Sequence, residues 1–333
     1  MPSRPTALHP CALATALLLA LPATALADVS DNEVATRHIQ DGAVTFAKLA
    51  PDAVFTNTVV VSPVGPTPQD NCLELLAVHN SIDDAGPDNP YLVYVEPGVY
   101  HCGAERIIMK PFVNIQGSGP NMTFIKGHVG NRRGFITLSS DSELHGVNVD
   151  NRSPIGEQLD RVVAIGSTGV DPLVNWRISN VTANAARGEI WSFGIEINTS
   201  DCDGEIDNVR VGASKRINQS LAISLDISCT RGSLRINALT AESENGIEIR
   251  YSGPFSTVEI VNSKIAGRTT DASPKAVINF GHLFFVNTQI IGDVDEPTRL
   301  DIMKCLGGYD ENFNPLSRNC QQTDFFTPVI QTK

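Results

Sequence analysis

Apolar residues recur along this chain in a short phrase: an apolar residue, one residue of any kind, Asn or a small residue, and apolar again. It reads Leu144-His-Gly-Val147, Ile178-Ser-Asn-Val181, Ile206-Asp-Asn-Val209 and Ile236-Asn-Ala-Leu239. Ile260-Val-Asn-Ser-Lys-Ile265 and Phe285-Val-Asn-Thr-Gln-Ile290 carry the second apolar residue two places later. Successive copies begin 24 to 34 residues apart. A repeat of that length, made of short alternating segments, predicts an all-β solenoid of stacked strands. A second register agrees. Apolar-x-apolar segments precede five copies: Val163-Ala-Ile165, Ile195-Glu-Ile197, Ile223-Ser-Leu225, Ile247-Glu-Ile249 and Ala276-Val-Ile278. Alternate side chains of a strand face opposite sides, so the apolar set stacks on the axis and the rest points out. Asn180, Asn208, Asn262 and Asn287 fall at a corner, where Asn tolerates unusual backbone angles and can bond a stacked neighbour. Gly146 and Ala238 hold that place in two coils and interrupt any Asn ladder.

The ends follow other patterns. Thr56 to Val64 is β-branched and predicts a strand; Gly65 to Asp70 predicts a Pro-rich turn. Cys72 to Ile82 has helical spacing and predicts a short amphipathic helix, suited to cover the open first rung. Asn151–Asp160, Ala185–Trp191, Gly212–Ser220 and Gly267–Lys275 are rich in Gly, Ser, Asn and Arg and predict protruding loops.

The segments Glu96-Pro-Gly-Val-Tyr100 and Val113-Asn-Ile-Gln-Gly-Ser-Gly-Pro-Asn-Met-Thr-Phe-Ile-Lys-Gly127 resemble the opening coils of the pectin-lyase-like superfamily of right-handed parallel β-helices. The resemblance runs to about Ile291 and is nearest to exported bacterial repeat proteins of that fold with no assigned function. It implies a parallel β-helix with a short N-terminal capping helix. The activity motifs of the superfamily are matched poorly. Asn198-Thr-Ser-Asp201-Cys-Asp203 inserts a Ser into the polygalacturonase N-T-D element, and Arg235-Ile-Asn precedes Gly281-His282 where it should follow. Arg152-Ser-Pro154-Ile-Gly-Glu157 has an acid in place of the second Arg of pectate lyases. Asn279-Phe-Gly-His-Leu-Phe-Phe285 lacks the Asp of pectin methylesterases.

The first residues read as processing, not fold. Residues 1–27 carry Arg4, an apolar run too short to span a bilayer, and Ala25-Leu-Ala27 for cleavage, the marks of a signal peptide. Residues 28–56 form a leader in which Ala43-Val-Thr-Phe-Ala-Lys-Leu-Ala50 resembles short segments of trimeric phage tail-fibre proteins, implying a possible homotrimer stalk. Residues 57–333 are left for the β-helix domain. A secreted, periplasmic or cell-surface location follows, with no membrane insertion. The net charge of −12 disfavours nucleic acid as a partner. Seven cysteines become six once Cys11 leaves with the signal: Cys72, Cys102, Cys202, Cys229, Cys305 and Cys320. An even number in an exported chain suggests disulfides, with neighbour pairing preferred among the fifteen possible connectivities.

Candidate chemistry lies on outward positions. One predicted column runs Ala164, Glu196, Ser224, Glu248, Val277; the other runs Gly166, Asn198, Asp226, Arg250, Asn279. With rungs ~4.8 Å apart, Glu196 and Glu248 would stand roughly 10 Å apart, near the ~6.5–9.5 Å used by inverting glycosidases. Glu196, Asp226 and Glu248 are thus catalytic candidates for a polysaccharide hydrolase or lyase. Asn198, Arg250, Trp191 and Trp176 are candidates for sugar binding. Equally ordinary readings are a solvated sheet face and packed indoles. No cofactor motif or metal-ligand spacing occurs. The expectation favours a non-catalytic binding or structural module, with polysaccharide as a possible partner. A polysaccharide-degrading enzyme and a trimeric fibre-like protein are the rivals.

Overall fold

Where the recurring phrase predicts strands, alternate residues disappear from solvent and stack in register. The computed structural model describes residues 57–320 apart from 132, 158, 168, 170–171, 216–220, 244, 251–254, 268–274, 280–281, 295–301, 311 and 318–319. At some strand positions only the backbone is described. The signal segment 1–27 and leader 28–56 lie outside the described residues. Among these residues, sixteen strands form one sheet and eight another, and every strand pairing is parallel. The chain folds as a right-handed parallel β-helix.

Three inward columns make the core. The first runs Val93, Ile115, Leu144, Ile178, Ile206, Ile236, Ile260, Phe285, all 0% exposed, each one rung from the next. The second runs Ile125, Val149, Ala183, Val211, Ala241, Ile265, Ile290 in the eight-stranded sheet. The third runs Ile107, Ile136, Ile165, Ile195, Leu225, Ile247. Parallel sheets with one face on a shared axis need such unbroken apolar stacking, because no single rung buries its own face.

The corners obey the Asn pattern. Asn180, Asn208, Ala238, Asn262 and Asn287 all have φ between 48° and 52°, and Gly146 has 64°. Each donates its backbone N–H to the carbonyl of the next rung, as from Asn208 to Asn237 at 3.0 Å. Side chains link Asn208 to Asn180 at 3.3 Å and Asn287 to Asn262 at 2.9 Å. Asn262 passes over Ala238 and donates to Asn237 Oδ1 at 3.3 Å.

The helix spans Pro68–Ser81, four residues earlier than the apolar spacing predicts. Its start is set by polar chemistry. The Thr67 hydroxyl accepts from the Asp70 N–H at 3.2 Å, Asp70 Oδ2 accepts from the Thr67 N–H at 3.1 Å, and Pro68 opens the first turn. The helix lies on strand Gly98–Gly103, the terminal strand of the eight-stranded sheet, through Cys72–Cys102 and a 3.0 Å bond from Asn71 Nδ2 to Val99 O. Lys110 Nζ closes its far end on Asn80 O at 2.9 Å. The other disulfides are Cys202–Cys229 and Cys305–Cys320, so all three join neighbours in sequence. Three disulfides suit an oxidising, extracytoplasmic compartment. Among the described residues no helix is long and apolar enough to cross a membrane.

Three of the predicted loops start later than expected. Strands Asn148–Arg152, Thr182–Gly188 and Arg210–Lys215 extend into them, carried by pairing to their neighbours.

Candidate functional site

Glu196, Asp226 and Glu248 stand on three consecutive rungs in one register column, Glu196 opposite Asp226 and Asp226 opposite Glu248. This corrects the two predicted columns. Ile195 pairs with Leu225 rather than Ile223, a slip of two residues that leaves the inward–outward alternation unchanged. Asn198 accordingly pairs with Ser228, and Ser228 with Arg250. Val163 and Ile223, expected on the axis, instead make a separate apolar cluster with Phe193, on which Trp191 packs. The side chains of Glu248 and Arg250 are outside those described.

The carboxylates are not on an open face. Glu196 and Asp226 are each 3% exposed. Arg161 Nε donates to Glu196 Oε2 at 3.0 Å, and Nη2 donates to Oε1. The guanidinium lies 4.4 Å from the Phe193 ring centre and 5.9 Å from Trp191, and the two rings stack at 5.6 Å with 13° between planes. A planar guanidinium suits this position because it pairs with a carboxylate in two places while lying on an aromatic face. Arg161 was not singled out from sequence. It precedes Val162 at the start of a strand, and nothing in its neighbourhood marks it as the partner of a residue one coil away.

Beside this pair is a groove of about 570 Å³, lined by Asn131, Leu159, Asp160, Arg161, Ile190 and Trp191 among others. Its walls are tied together. The N–H groups of Ile190 and Trp191 both donate to Asp160 O at 2.9 Å, and Glu189 N–H donates to Leu159 O at 2.8 Å. Trp191 is half-buried and Ile190 is 48% exposed, so the groove offers apolar surface beside the polar Asn131, Asp160 and Arg161. Trp176, the other candidate indole, is a core side chain, 2% exposed. Its ring lies over Gly204 on the next rung, where a Cβ would come within 2.1 Å of it. Asn198 is exposed on its strand, and its backbone N–H donates to Ser167 Oγ at 2.8 Å.

A second polar cluster sits on the wall that carries the Asn phrase. In register, Glu143, Arg177, Glu205, Arg235 and Glu259 alternate in charge over five rungs. Arg177 Nε is 3.9 Å from Glu143 Oε1 and 3.4 Å from Glu205 Oε2, and its Nη2 is 3.3 Å from Asp207 Oδ2. Ser179 donates to Glu143 Oε1, and His145 Nδ1 lies 2.6 Å from the same hydroxyl. These residues flank Leu144, Ile178 and Ile206 in sequence, so the phrase itself could have located them. Among the described residues no group of His, Cys, Asp and Glu is arranged to hold a metal ion.

No protein-family model matches the chain, and no curated protein matches it. Among solved structures, it is similar to the pectin methylesterase PemA from Erwinia chrysanthemi, with 13% identity, a TM-score of 0.49, and coverage of 81% of this chain and 94% of that one. It is similar to ORF18 of Geobacillus virus E2, with 11% identity, a TM-score of 0.49, and coverage of 75% of this chain and 52% of that one. It is also similar to the A-module of the mannuronan C-5 epimerase AlgE4 from Azotobacter vinelandii, with 11% identity, a TM-score of 0.37, and coverage of 72% and 74%. The parallel registers and the three stacked inward columns carry the fold on their own, and this chain is a right-handed parallel β-helix.

Proposed function

We propose that this chain is an exported, non-catalytic module that holds a glycan in the groove between Arg161 and Trp191. The observation that carries the reading is the Arg161–Glu196 pair lying on the Trp191–Phe193 stack at the edge of an open groove. Glu196 and Asp226 are withdrawn from any polymer in solvent, so their charges serve the fold. Trp191 offers a large flat ring with a polar edge, the combination that sits against a sugar. The residue 1–27 segment and the disulfides support export.

Titration calorimetry with neutral, amino-sugar and uronic-acid oligosaccharides tests this, run beside assays for reducing ends and unsaturated products. The expected result is binding without release of product, weakened about fivefold by Trp191→Ala, in keeping with ~1 kcal/mol for one aromatic contact. Release of product, or binding unaffected by Trp191→Ala, would overturn it.

The alternating wall supports a second reading, a polysaccharide hydrolase. Glu143 and Glu205 oxygens flank one Arg177 nitrogen at 3.9 and 3.4 Å. They can therefore be no more than roughly 7 Å apart, a bound that admits the ~5–5.5 Å of retaining enzymes and only the short end of the inverting range. That reading requires turnover that Glu143→Gln or Glu205→Gln abolishes and Trp191→Ala leaves intact.

A further inference from the structure

We infer that the groove takes a cationic, amino-sugar-bearing glycan and rejects uronates. The inference rests on the glycan-binding reading and names its ligand class. Among the described residues that line the groove, Arg161 is the cation. Its side chain is 15% exposed, and it is held by two bonds to a Glu196 side chain that is 4% exposed. Turning it toward a ligand carboxylate would break both of those bonds to a buried carboxylate, which is strongly unfavourable. Arg161 is therefore already committed, and among the described residues that line the groove a uronate meets no other cation.

Asp160 is the opposite case. It lines the same groove, is exposed, and among the described residues its carboxylate makes no hydrogen bond or ion pair. Its backbone carbonyl accepts from Ile190 and Trp191, which holds its main chain beside that of the indole-bearing residue. Among the described residues that line the groove, the uncompensated charge is thus negative. A protonated sugar amine at this point meets Asp160 and can lie over the electron-rich face of Trp191. The net charge of −12 works in the same direction at longer range, drawing polycations and repelling polyanions.

The test uses the full chain and three hexasaccharides at about pH 6 and low salt, where uronates are ionised: hexa-glucosamine, its N-acetylated counterpart and hexa-galacturonate. Hexa-glucosamine is expected to bind about tenfold more tightly than hexa-galacturonate, the difference between one favourable and one unfavourable exposed charge contact. The gap should narrow at high salt and shrink severalfold in Asp160→Asn, leaving only the long-range preference set by net charge. Asp160 is exposed, so a melting curve of that variant serves as the folding control. Equal or tighter binding of hexa-galacturonate, or a gap that Asp160→Asn leaves undiminished, overturns the inference and leaves the glycan-binding reading standing. Failure of all three hexamers to bind overturns both.

Discussion

His79 gives the fold a built-in sensitivity to acid that can be worked out from its surroundings. It lies in the last turn of the capping helix, 1% exposed, close to Lys110. Burial, and after it the Lys110 charge, lower its pKa from 6.5 to about 4. The unfolded chain takes up a proton below about 6.5 while the folded chain resists until about 4. Stability is therefore full above the unfolded value and falls as pH drops through this window. At 1.36 kcal/mol per tenfold change, the loss below pH 4 totals about 3 kcal/mol, of which about 2 kcal/mol is lost between pH 7 and pH 5. For a chain of this size the ~2 kcal/mol corresponds to a fall in Tm of about 3–4 °C. The perturbation is His79→Leu, and the assay is the melting temperature of both proteins at a series of pH values between 7 and 4. Carboxylates titrate in both proteins, so the difference in slope isolates His79. The variant should lose the extra slope whatever its absolute Tm. Identical slopes would refute the reasoning.

Two further outcomes follow from particular contacts. Arg161→Met leaves the buried Glu196 carboxylate without its counter-charge and should cost about 3–5 kcal/mol. Adding Glu196→Gln to it should recover a large part of that loss in equilibrium unfolding, and a double variant no more stable than the single one would count against a charge origin. Ala238→Asn relieves a non-Gly residue held at φ 52° and restores the missing member of the Asn stack. Left-handed backbone costs an Ala about 1 kcal/mol, and the new side-chain bond exchanges with the existing Asn262–Asn237 bond. A gain of about 1 kcal/mol in Tm-derived stability is therefore expected, and a loss would show that the stack has no room at that corner.

The fold was legible because its two strongest signals are local and periodic. Apolar alternation located Ile178, Ile206, Ile236 and Ile260, and these do lie atop one another. The corner Asn residues were legible for a different reason, since few residues other than Gly accept that backbone angle. Register was not legible to the same depth. Alternation constrains position only to the nearest two residues, so Ile223 and Leu225 satisfied the pattern equally and the outward columns were drawn one pair out of step. The helix start was missed because Thr67, Pro68 and Asp70 act through caps and carry no apolar period. The Arg161–Glu196 pair was hidden because its partners are a full coil apart in sequence. The alternating Glu and Arg wall stands beside the first five of the six copies of the phrase, but its charge alternates from coil to coil and carries no apolar period.

The strands Trp191–Asp207 and Leu221–Asn237 each run unbroken for 17 residues, pairing with one wall through their first half and with another through their second. Elsewhere a left-handed residue such as Asp141 separates those walls, whereas Leu221–Asn237 turns through Gly232 at φ 105° without leaving the strand. In the middle of the stack, then, two walls are spliced by continuous strand. Under heat or tension the outer rungs should peel away one at a time while this spliced belt comes apart late and in a single event. The groove begins at the first residue of one of these strands, so its Trp191 is mounted on this belt.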